Sequence, residues 1–515
     1  MSTTAADEGH LRSGSTLSDT ATLTSNTPQS SAFIKPGVLP VKEGSITNGG
    51  PTPVVIPPEH AARTLVLCFD GTGDQFDADN SSVIEFFSML AKDDPDRQMV
   101  YYQAGIGTYT PPQIATPLFA KFSKTLDEAI AWNLDAHIMG GYEFLMQNYK
   151  GGDRICIFGF SRGAYTARCL AGMIHKIGLL PACNHQQIPF AYKMYTRPDE
   201  LGWKQSNAFK RAFSIDVDIE FVGVWDTVNS VGLIPRRLPF TTSNTIVRTF
   251  RHAVSLDERR AKFKANLWNR PNDDEKTLSV TDQHVELIKQ KAGPHPSKSR
   301  LHALERQYGV ERLKATDIDE VWFAGCHCDV GGGSVANGAK PVLARIPLRW
   351  MIRETFKRET GIMFHADGLK LIGLSPSSLY PLVLPRPLAL PVPATLSLLP
   401  IPKTPEEPIY DAAEAFPTES EEELDLHDAL APIYDQLKLS WWWWILEIIP
   451  LKQRRQRSDD VWVTWFAWNW GRGRVIPGQG KKGVRVHRSV KMRMDAQGGY
   501  RPKANLDLGR VTWVD

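Results

Sequence analysis

The sequence predicts an α/β protein in which a mostly parallel β-sheet carries helices on both faces. Short and nearly continuous apolar segments recur along the chain, with helically patterned segments between them. Strands that are buried on both faces have this continuous apolar character, as in parallel sheets covered by helices. A second observation is a glycine-flanked serine between one such strand and a helix, which is typical of a sharp strand-to-helix turn.

The predicted strands are rich in β-branched and aromatic residues, and they cover 64–69, 99–102, 155–158, 219–225 and 320–324. The predicted helices repeat apolar residues at helical spacing with charges between them, and they cover 82–91, 125–148, 164–177 and 256–263. The regular alternation of the two kinds of segment indicates βα units around one sheet.

The chain of 515 residues divides by composition into four regions. Residues 1–60 are rich in Ser, Thr, Pro and Gly and are predicted to be a disordered tail. Residues 61–370 hold the α/β pattern and form the predicted catalytic domain. Residues 371–430 are proline-rich and then acidic, which favours an irregular insertion. Residues 431–515 form a tryptophan-rich region expected to pack on the main domain or on a membrane.

Charge and cysteine content narrow the class of protein. The formal net charge is +3, from 60 basic and 57 acidic residues, so no strong basic excess points to nucleic acid. The six cysteines lie mostly in apolar runs without the spacing of a disulfide framework, which favours a reducing compartment. No signal-peptide pattern or spanning apolar run is evident, so we expect a cytoplasmic protein with peripheral membrane contact.

Eight of the 15 tryptophans lie between residues 440 and 470. Trp441–Trp444 form an unbroken run, and the basic stretch 452–457 follows shortly after it. Tryptophan suits both a core and a membrane–water boundary, and adjacent basic residues favour an anionic lipid surface. Peripheral membrane contact through Trp441–Trp444 is therefore one hypothesis, and core packing is the other.

The glycine-flanked serine is in the pentapeptide Gly159-Phe-Ser-Arg-Gly163, which follows the apolar run 154–158 and precedes a small-residue helix. Glycine has no Cβ, so a glycine on each side allows the chain to turn sharply and present the hydroxyl at the tip. The setting predicts Ser161 as a nucleophile, whereas the bare motif would indicate only a flexible loop.

A serine nucleophile needs a base and a carboxylate that orients the base. Asp226 ends one predicted strand, and His327 follows a later one. Carboxyl ends of parallel strands meet at one edge of a sheet, and the chain order serine, acid, histidine is that of α/β-hydrolase sites. We predict Asp226 as the acid and His327 as the base.

Alternatives to these partners remain open. Asp329 could replace Asp226, and either His252 or His487 could replace His327. Cys326 and Cys328 flank His327, but alternating strand residues point to opposite faces and no second pair completes a zinc site. We predict no metal there.

The glycine-rich turn at 70–74 follows the first strand. Backbone N–H groups of Gly71 and Arg162 are the predicted donors to a developing oxyanion. Asp70 could repel an oxyanion unless it points away, cap the turn, or join Asp74 and Asp329 around a divalent cation. This last arrangement would indicate a metal-dependent phosphoesterase.

Five segments carry a family resemblance, and they are 69–72, 159–165, 224–228, 251–259 and 322–333. Together they resemble an α/β-hydrolase family of type VI secretion phospholipase effector-like proteins and their eukaryotic relatives, over roughly residues 63–355. The region 433–505 is similar to the C-terminal part of fungal-type members. The resemblance implies an α/β-hydrolase fold and a serine esterase of the phospholipase type, with Ser161 as nucleophile and lipid as substrate.

The sequence thus predicts hydrolysis of a carboxylic ester through an acyl-Ser161 intermediate, and the resemblance implies a phospholipid as the ester. This chemistry requires no cofactor. The alternatives are a metal-dependent phosphoesterase and a non-catalytic membrane-binding or protein-binding module on the same fold.

Overall fold

The structure is a computed structural model, and it describes residues 53–105, 119–228, 238–269, 301, 304–305, 315–403, 416–457 and 460–515. Within the first helix after residue 118, side chains are described from residue 134 onward. Most of the predicted tail, residues 1–52, lies outside the described residues.

A parallel sheet of eight strands forms the centre of the fold, in the spatial order β3-β2-β4-β5-β6-β7-β11-β12. Its strands are β2 (Thr64–Phe69), β3 (Gln98–Gln103), β4 (Arg154–Phe160), β5 (Ile219–Trp225), β6 (Val247–Ser255), β7 (Asp317–Phe323), β11 (Val484–His487) and β12 (Val511–Val514). Every pairing between neighbours in this sheet is parallel. The predicted α/β-hydrolase-like fold is confirmed.

Both faces of the sheet are buried, which explains the continuous apolar strands. Along β2, Leu65 and Leu67 belong to one hydrophobic cluster, whereas Val66 and Cys68 belong to another on the opposite face. Successive side chains of a strand point to opposite faces, so both sets must be apolar when helices cover both sides.

The first face is covered by α2 (Phe119–Asn148), α3 (Ser161–Ile177), α4 (Ile188–Thr196) and α5 (Glu200–Phe213). Elements on the second face include α1 (Ser82–Ser88), α6 (His327–Gly331), α7 (Arg345–Lys357) and α8 (Ala366–Leu371). Further helices are α9 (Glu421–Ala429), α10 (Gln436–Leu439), α11 (Trp444–Glu447), α12 (Gln479–Lys482) and α13 (Arg488–Asp495). Among the described residues, none of the helices is both long enough and apolar enough to cross a bilayer.

Two antiparallel pairs lie outside the central sheet. β1 (Val55–Ile56) pairs with β8 (Phe364–His365), and β9 (Leu451–Gln456) pairs with β10 (Trp462–Ala467). Since β1 lies within the segment 1–60, the folded part of the chain begins before residue 61.

The C-terminal region is part of the central sheet, not only a surface that packs against it. β11 pairs with β7 and with β12, so residues 484–514 extend the sheet at one edge. The acidic segment is also more regular than its composition indicates, because α9 begins with a capping box between Ser420 and Glu423. Within α9, Asp425 accepts from the buried Arg349 at 2.7 Å.

The predicted helix at 256–263 is wrong. The N–H of Leu256 donates to the carbonyl of Phe323, and the N–H of Asp257 donates to the carbonyl of Gly325. These bonds continue the pairing of β6 beyond its last residue. Long-range backbone pairing therefore outweighs the local helical pattern, as tertiary contacts commonly do.

Candidate active site

Ser161 stands at the junction of β4 and α3, in a backbone conformation that side chains rarely adopt. Its φ is 58°. A Cβ on Gly159 would come within 2.7 Å of the Gly163 backbone, and a Cβ on Gly163 would come within 2.2 Å of the Asp70 carbonyl oxygen. Both glycines are thus required by close backbone approach, and the strained serine is held at the tip of the turn.

The structure brings Ser161, His327 and Asp226 together through two hydrogen bonds. His327 Nε2 lies 2.7 Å from Ser161 Oγ, and His327 Nδ1 lies 2.6 Å from Asp226 Oδ2. A carboxylate only accepts, so Nδ1 carries the proton and Nε2 is free to accept from the serine hydroxyl. All three side chains are buried.

Asp226 follows the last residue of β5, where its carboxylate has three donors. The N–H of Ser255 donates to Oδ1 at 2.9 Å, and the guanidinium of Arg474 contacts both carboxylate oxygens. Burial alone would raise the pKa of Asp226, but Arg474 and His327 outweigh burial and hold the pKa below its usual range. Asp226 is therefore ionised.

His327 is the first residue of α6, immediately beyond the edge where β7 ends. The rings of Phe160 and Phe263 lie 4.7 Å and 4.9 Å from the imidazole, measured between centroids. Burial among these groups lowers the pKa of His327, although the bond to Asp226 opposes the shift. The imidazole is held in its neutral form over a wider pH range than a solvated histidine.

The two alternative histidines have other partners. His252 Nε2 accepts from the N–H of Thr227 at 3.0 Å, and its Nδ1 bonds Glu320 at 2.9 Å. His487 Nδ1 bonds Ser489 at 2.8 Å, and burial lowers the pKa of His487 to about 3. Neither has a hydrogen bond to Ser161 among the described residues, whereas His327 does.

Asp329 does not take the place of Asp226. Its carboxylate accepts from the N–H of Cys326 at 2.8 Å and from the N–H of Tyr434 at 3.1 Å. Asp70 likewise accepts from Ser81 at 2.6 Å and from Tyr102 at 2.7 Å. Within the part of the chain that the structure describes, no group of three or more His, Cys, Asp or Glu side chains is arranged to hold a metal ion.

The turn after β2 lies beside the elbow, and one of the two predicted oxyanion donors already has an acceptor within this turn. The N–H of Gly71 donates to Asp70 Oδ1 at 2.8 Å, so it is not available as a free oxyanion donor. The N–H of Arg162 lies in the first turn of α3, where helix geometry offers no intrahelical acceptor. Thr72 Oγ1 is buried without a hydrogen-bond partner in the described structure. Thr72 was not among the predicted residues.

An aromatic layer packs against His327. Phe263 packs between His327 and Trp443, with a Phe263–Trp443 centroid distance of 5.6 Å. The guanidinium of Arg260 lies over both rings, 3.5 Å from Phe263 and 4.7 Å from Trp443. Ser161 itself is only 4% exposed.

The predicted residues omitted Arg474. It lies 248 positions from Asp226 in the chain, within the segment Gly471-Arg-Gly-Arg474. That glycine-rich segment is a weak sequence signal, because arginine beside glycine also occurs in ordinary surface loops.

Comparison with known proteins gives the family. Residues 63–354 match the family described as T6SS, phospholipase effector Tle1-like, catalytic domain. This range contains Ser161, Asp226 and His327 but ends before Arg474.

The individual proteins that are similar to this chain share less than a third of its residues. An uncharacterized protein of Saccharomyces cerevisiae is 28% identical over 574 residues, covering 89% of this chain and 83% of that protein. A crystal structure of an uncharacterized protein from Pseudomonas aeruginosa is 20% identical with a TM-score of 0.31, covering 58% of this chain and 46% of that chain. A structure of the Tle1 effector bound to the VgrG spike from the type 6 secretion system is 15% identical with a TM-score of 0.27, covering 55% of this chain and 53% of that chain.

These matches span about half the length of the solved chains. The family match is the informative one, because it covers more than half of this chain and confirms the resemblance carried by the five sequence segments. The chain belongs to the family of type VI secretion phospholipase effector Tle1-like catalytic domains, a family of phospholipase-type hydrolases.

Proposed function

We propose that this protein is a serine hydrolase that cleaves carboxylic esters of phospholipids through an acyl-Ser161 intermediate. The observation that carries the proposal is the chain of hydrogen bonds from Ser161 Oγ to His327 and from His327 to the ionised Asp226. Membership of a phospholipase effector family supports lipid as the substrate class.

In the acylation step, Ser161 Oγ attacks the ester carbonyl carbon while His327 Nε2 takes the hydroxyl proton. Asp226 stabilises the resulting imidazolium through Nδ1–H. His327 then passes the proton to the leaving alkoxide oxygen as the ester C–O bond breaks. In deacylation, His327 takes a proton from water, the hydroxide adds to the acyl carbon, and the proton returns to Ser161 Oγ as the fatty acid leaves.

The tetrahedral intermediate carries a negative oxygen that needs donors. We assign this role to the N–H of Arg162 and the hydroxyl of Thr72, in place of the N–H of Gly71. The buried Thr72 Oγ1 has no partner in the described structure, so it can donate without breaking another bond.

A fluorophosphonate probe tests the serine chemistry without knowledge of the substrate. Wild type should be labelled, and Ser161→Ala should not. Asp226→Asn should lower the labelling rate constant by about 10³–10⁴-fold, because an amide no longer selects the productive tautomer of His327. Ser489→Ala, at a hydroxyl that bonds His487, is the matched control and should be labelled at the wild-type rate. An unlabelled but folded wild type would reject the proposal.

We further propose that Trp441–Trp444 contact the membrane on which the substrate resides. Trp441 is 78% exposed, and the apolar side chains that follow it are exposed as well, namely Ile445, Ile448 and Ile449. Exposed apolar residues in one contiguous segment favour a surface that meets another apolar phase. Trp443 belongs to the same segment and reaches Phe263 beside His327, so contact at this segment would lie next to the catalytic centre.

Sedimentation with liposomes checks this contact. Trp441→Ser/Trp442→Ser should weaken binding to anionic vesicles, and Trp468→Ser, an exposed tryptophan outside the segment, should weaken it much less. Equal losses in the two variants, or no binding by wild type, would exclude a specific membrane contact through Trp441–Trp444. Labelling by the fluorophosphonate in solution would remain, which separates this proposal from the serine chemistry.

A further inference from the structure

Arg474 forms a forked contact with the carboxylate of Asp226. Its Nη1 lies 2.5 Å from Oδ1, and its Nη2 lies 2.9 Å from Oδ2. The side chains are 3% and 0% exposed, so little solvent screens the pair. A two-point contact between a guanidinium and a carboxylate fixes orientation as well as charge.

The guanidinium is itself held by backbone groups. Nη1 donates to the carbonyl of Ser255 at 3.0 Å, and Nη2 donates to the carbonyl of Phe263 at 2.6 Å. Nε has no partner in the described structure, so Nη1 and Nη2 make all the hydrogen bonds of the Arg474 side chain. This arrangement cannot be reproduced by a lysine, which has a single nitrogen.

The backbone at Arg474 is fixed against the end of the sheet. A Cβ on Gly473 would come within 1.8 Å of the Lys503 carbonyl oxygen, so the two segments approach as only glycine allows. The carbonyl of Arg474 accepts from the N–H of Asn505 at 2.9 Å, and the N–H of Ala504 donates to the carbonyl of Leu256 at 2.8 Å. These bonds connect Arg474, through residues 504–505, to Leu256, which directly follows the last residue of β6.

We propose that Arg474 is a positioning residue for the hydrolytic reaction, which holds Asp226 as an ionised carboxylate with Oδ2 directed at His327. The inference rests on the proposed function of Ser161, Asp226 and His327. It means that the catalytic centre is completed by a residue outside the family-matched range 63–354, from the region that the sequence indicates only as tryptophan-rich. The C-terminal region would then be needed for chemistry in solution as well as for contact with lipid.

This role has an electrostatic consequence. Arg474 Nη2 and His327 Nδ1 bond the same oxygen of Asp226, so the guanidinium lies close to the imidazole. A nearby positive charge disfavours protonation of the imidazole. Neutralising Arg474 should make the Asp226–His327 pair retain a proton to higher pH, so that the base becomes available only in more alkaline solution.

Other charged groups also face this pair. Glu258 and Arg260 form an ion pair at 2.8 Å, and the N–H of His327 donates to Glu258 at 3.3 Å. Lys264 Nζ donates to Asn469 at 2.6 Å, and His252 bonds Glu320. Arg474→Gln leaves these side chains in place, but the charge of Arg474 also lowers the pKa of Glu258 and of Lys264, so its removal raises both. Arg474→Lys keeps that charge and controls for this indirect effect.

The test measures the rate constant of fluorophosphonate labelling as a function of pH for wild type, Arg474→Gln and Arg474→Lys. Arg474→Gln should lower the plateau by at least ~10-fold and move the acid limb to higher pH by about one unit or more. Arg474→Lys keeps the charge but loses the fork, so the plateau should fall while the limb stays near its wild-type position. Arg485→Gln removes a half-exposed guanidinium that bonds Asp319, and it should change neither quantity.

The outcomes separate this inference from the proposed function. An unlabelled wild type would reject the serine chemistry itself. A labelled wild type together with an unmoved acid limb in folded Arg474→Gln would overturn the role of Arg474. If Arg474→Gln does not fold, Arg474→Lys decides: a wild-type plateau would contradict a requirement for the forked contact, and a lowered plateau with an unmoved limb would support it.

Discussion

The ring of Phe263 packs edge-on against the imidazole of His327, with 4.9 Å between centroids and 73° between the ring planes. Trp443 packs on Phe263 in turn, at an interplanar angle of 81°. His327 is therefore linked by two aromatic contacts to a segment whose neighbouring side chains are exposed. Ser161 is 4% exposed, so we expect an ester substrate to reach it only after nearby side chains move, and this aromatic layer is the candidate for that movement.

Trp443→Ala should open the site. Removal of the indole takes away the outer part of the aromatic layer, so a bulky fluorophosphonate should gain several-fold in labelling rate relative to a small one. The half-buried ring also contributes to packing, and its loss should cost roughly 1–2 kcal/mol of the free energy of unfolding. Trp468→Ala, at an exposed ring elsewhere, should leave the ratio of the two rates unchanged. An unaltered ratio in Trp443→Ala would show that Trp443 does not limit access.

The acid limb of wild-type labelling should lie below pH 6.5. Burial lowers the pKa of His327 below the 6.5 of a solvated histidine, and only the neutral imidazole can accept the proton of Ser161. Reactivity should thus persist into mildly acidic solution and fall as the pH drops through that lowered pKa. The measurement is the labelling rate constant from pH 4 to pH 9, with circular dichroism at each pH to verify folding. A midpoint above 6.5 would contradict a buried, neutral base.

Thr72→Val should reduce acylation without loss of the fold. Valine keeps the shape of threonine but removes the hydroxyl that we assign to the oxyanion, and loss of one such donor lowers the rate by about 10²–10³-fold. Because Thr72 Oγ1 has no partner in the described structure, its removal breaks no bond in the free protein. Thr196→Val, at an exposed hydroxyl that bonds the carbonyl of Lys193, is the control. Wild-type labelling and turnover by Thr72→Val would remove Thr72 from the site.

Much of the fold and the candidate site follows from sequence because parallel strands place their carboxyl ends together. Ser161, Asp226 and His327 each stand at such an end, so their proximity requires only the strands and their order. The strand β6 was not predicted, since its Arg251 and His252 break the apolar pattern. Arg251 is buried there by ion pairs with Glu354 and Asp317, which are distant in the chain.

The position of Arg474 beside Asp226 could not be predicted from the local sequence pattern. Its position depends on β11 joining the edge of the sheet and on the close approach of Gly473 to Lys503. Neither contact has a signature within a short window of sequence. His252 presents the complementary case: it is a histidine at a plausible position in the chain order, but its ring bonds Thr227 and Glu320.

Asp329→Asn should flatten the dependence of stability on pH. Burial raises the pKa of Asp329 from 3.8 to about 7. The folded state thus prefers the protonated carboxyl, and the resulting stabilisation is complete below pH 3.8 and is lost as the pH rises through about 7. Asparagine mimics the protonated group at every pH and still accepts from the N–H of Cys326. Between pH 4 and pH 8, the free energy of unfolding of wild type should fall by up to about 4 kcal/mol more than that of the variant.

Urea denaturation at the two pH values measures this difference. Asp96→Asn, at a carboxylate whose side chain is 91% exposed, is the control and should show the wild-type dependence. The distinction matters for function, because Asp329 lies two residues after His327 and caps the start of α6. If the wild-type and Asp329→Asn curves run parallel from pH 4 to pH 8, Asp329 is ionised at neutral pH and its bonds to Cys326 and Tyr434 compensate for burial.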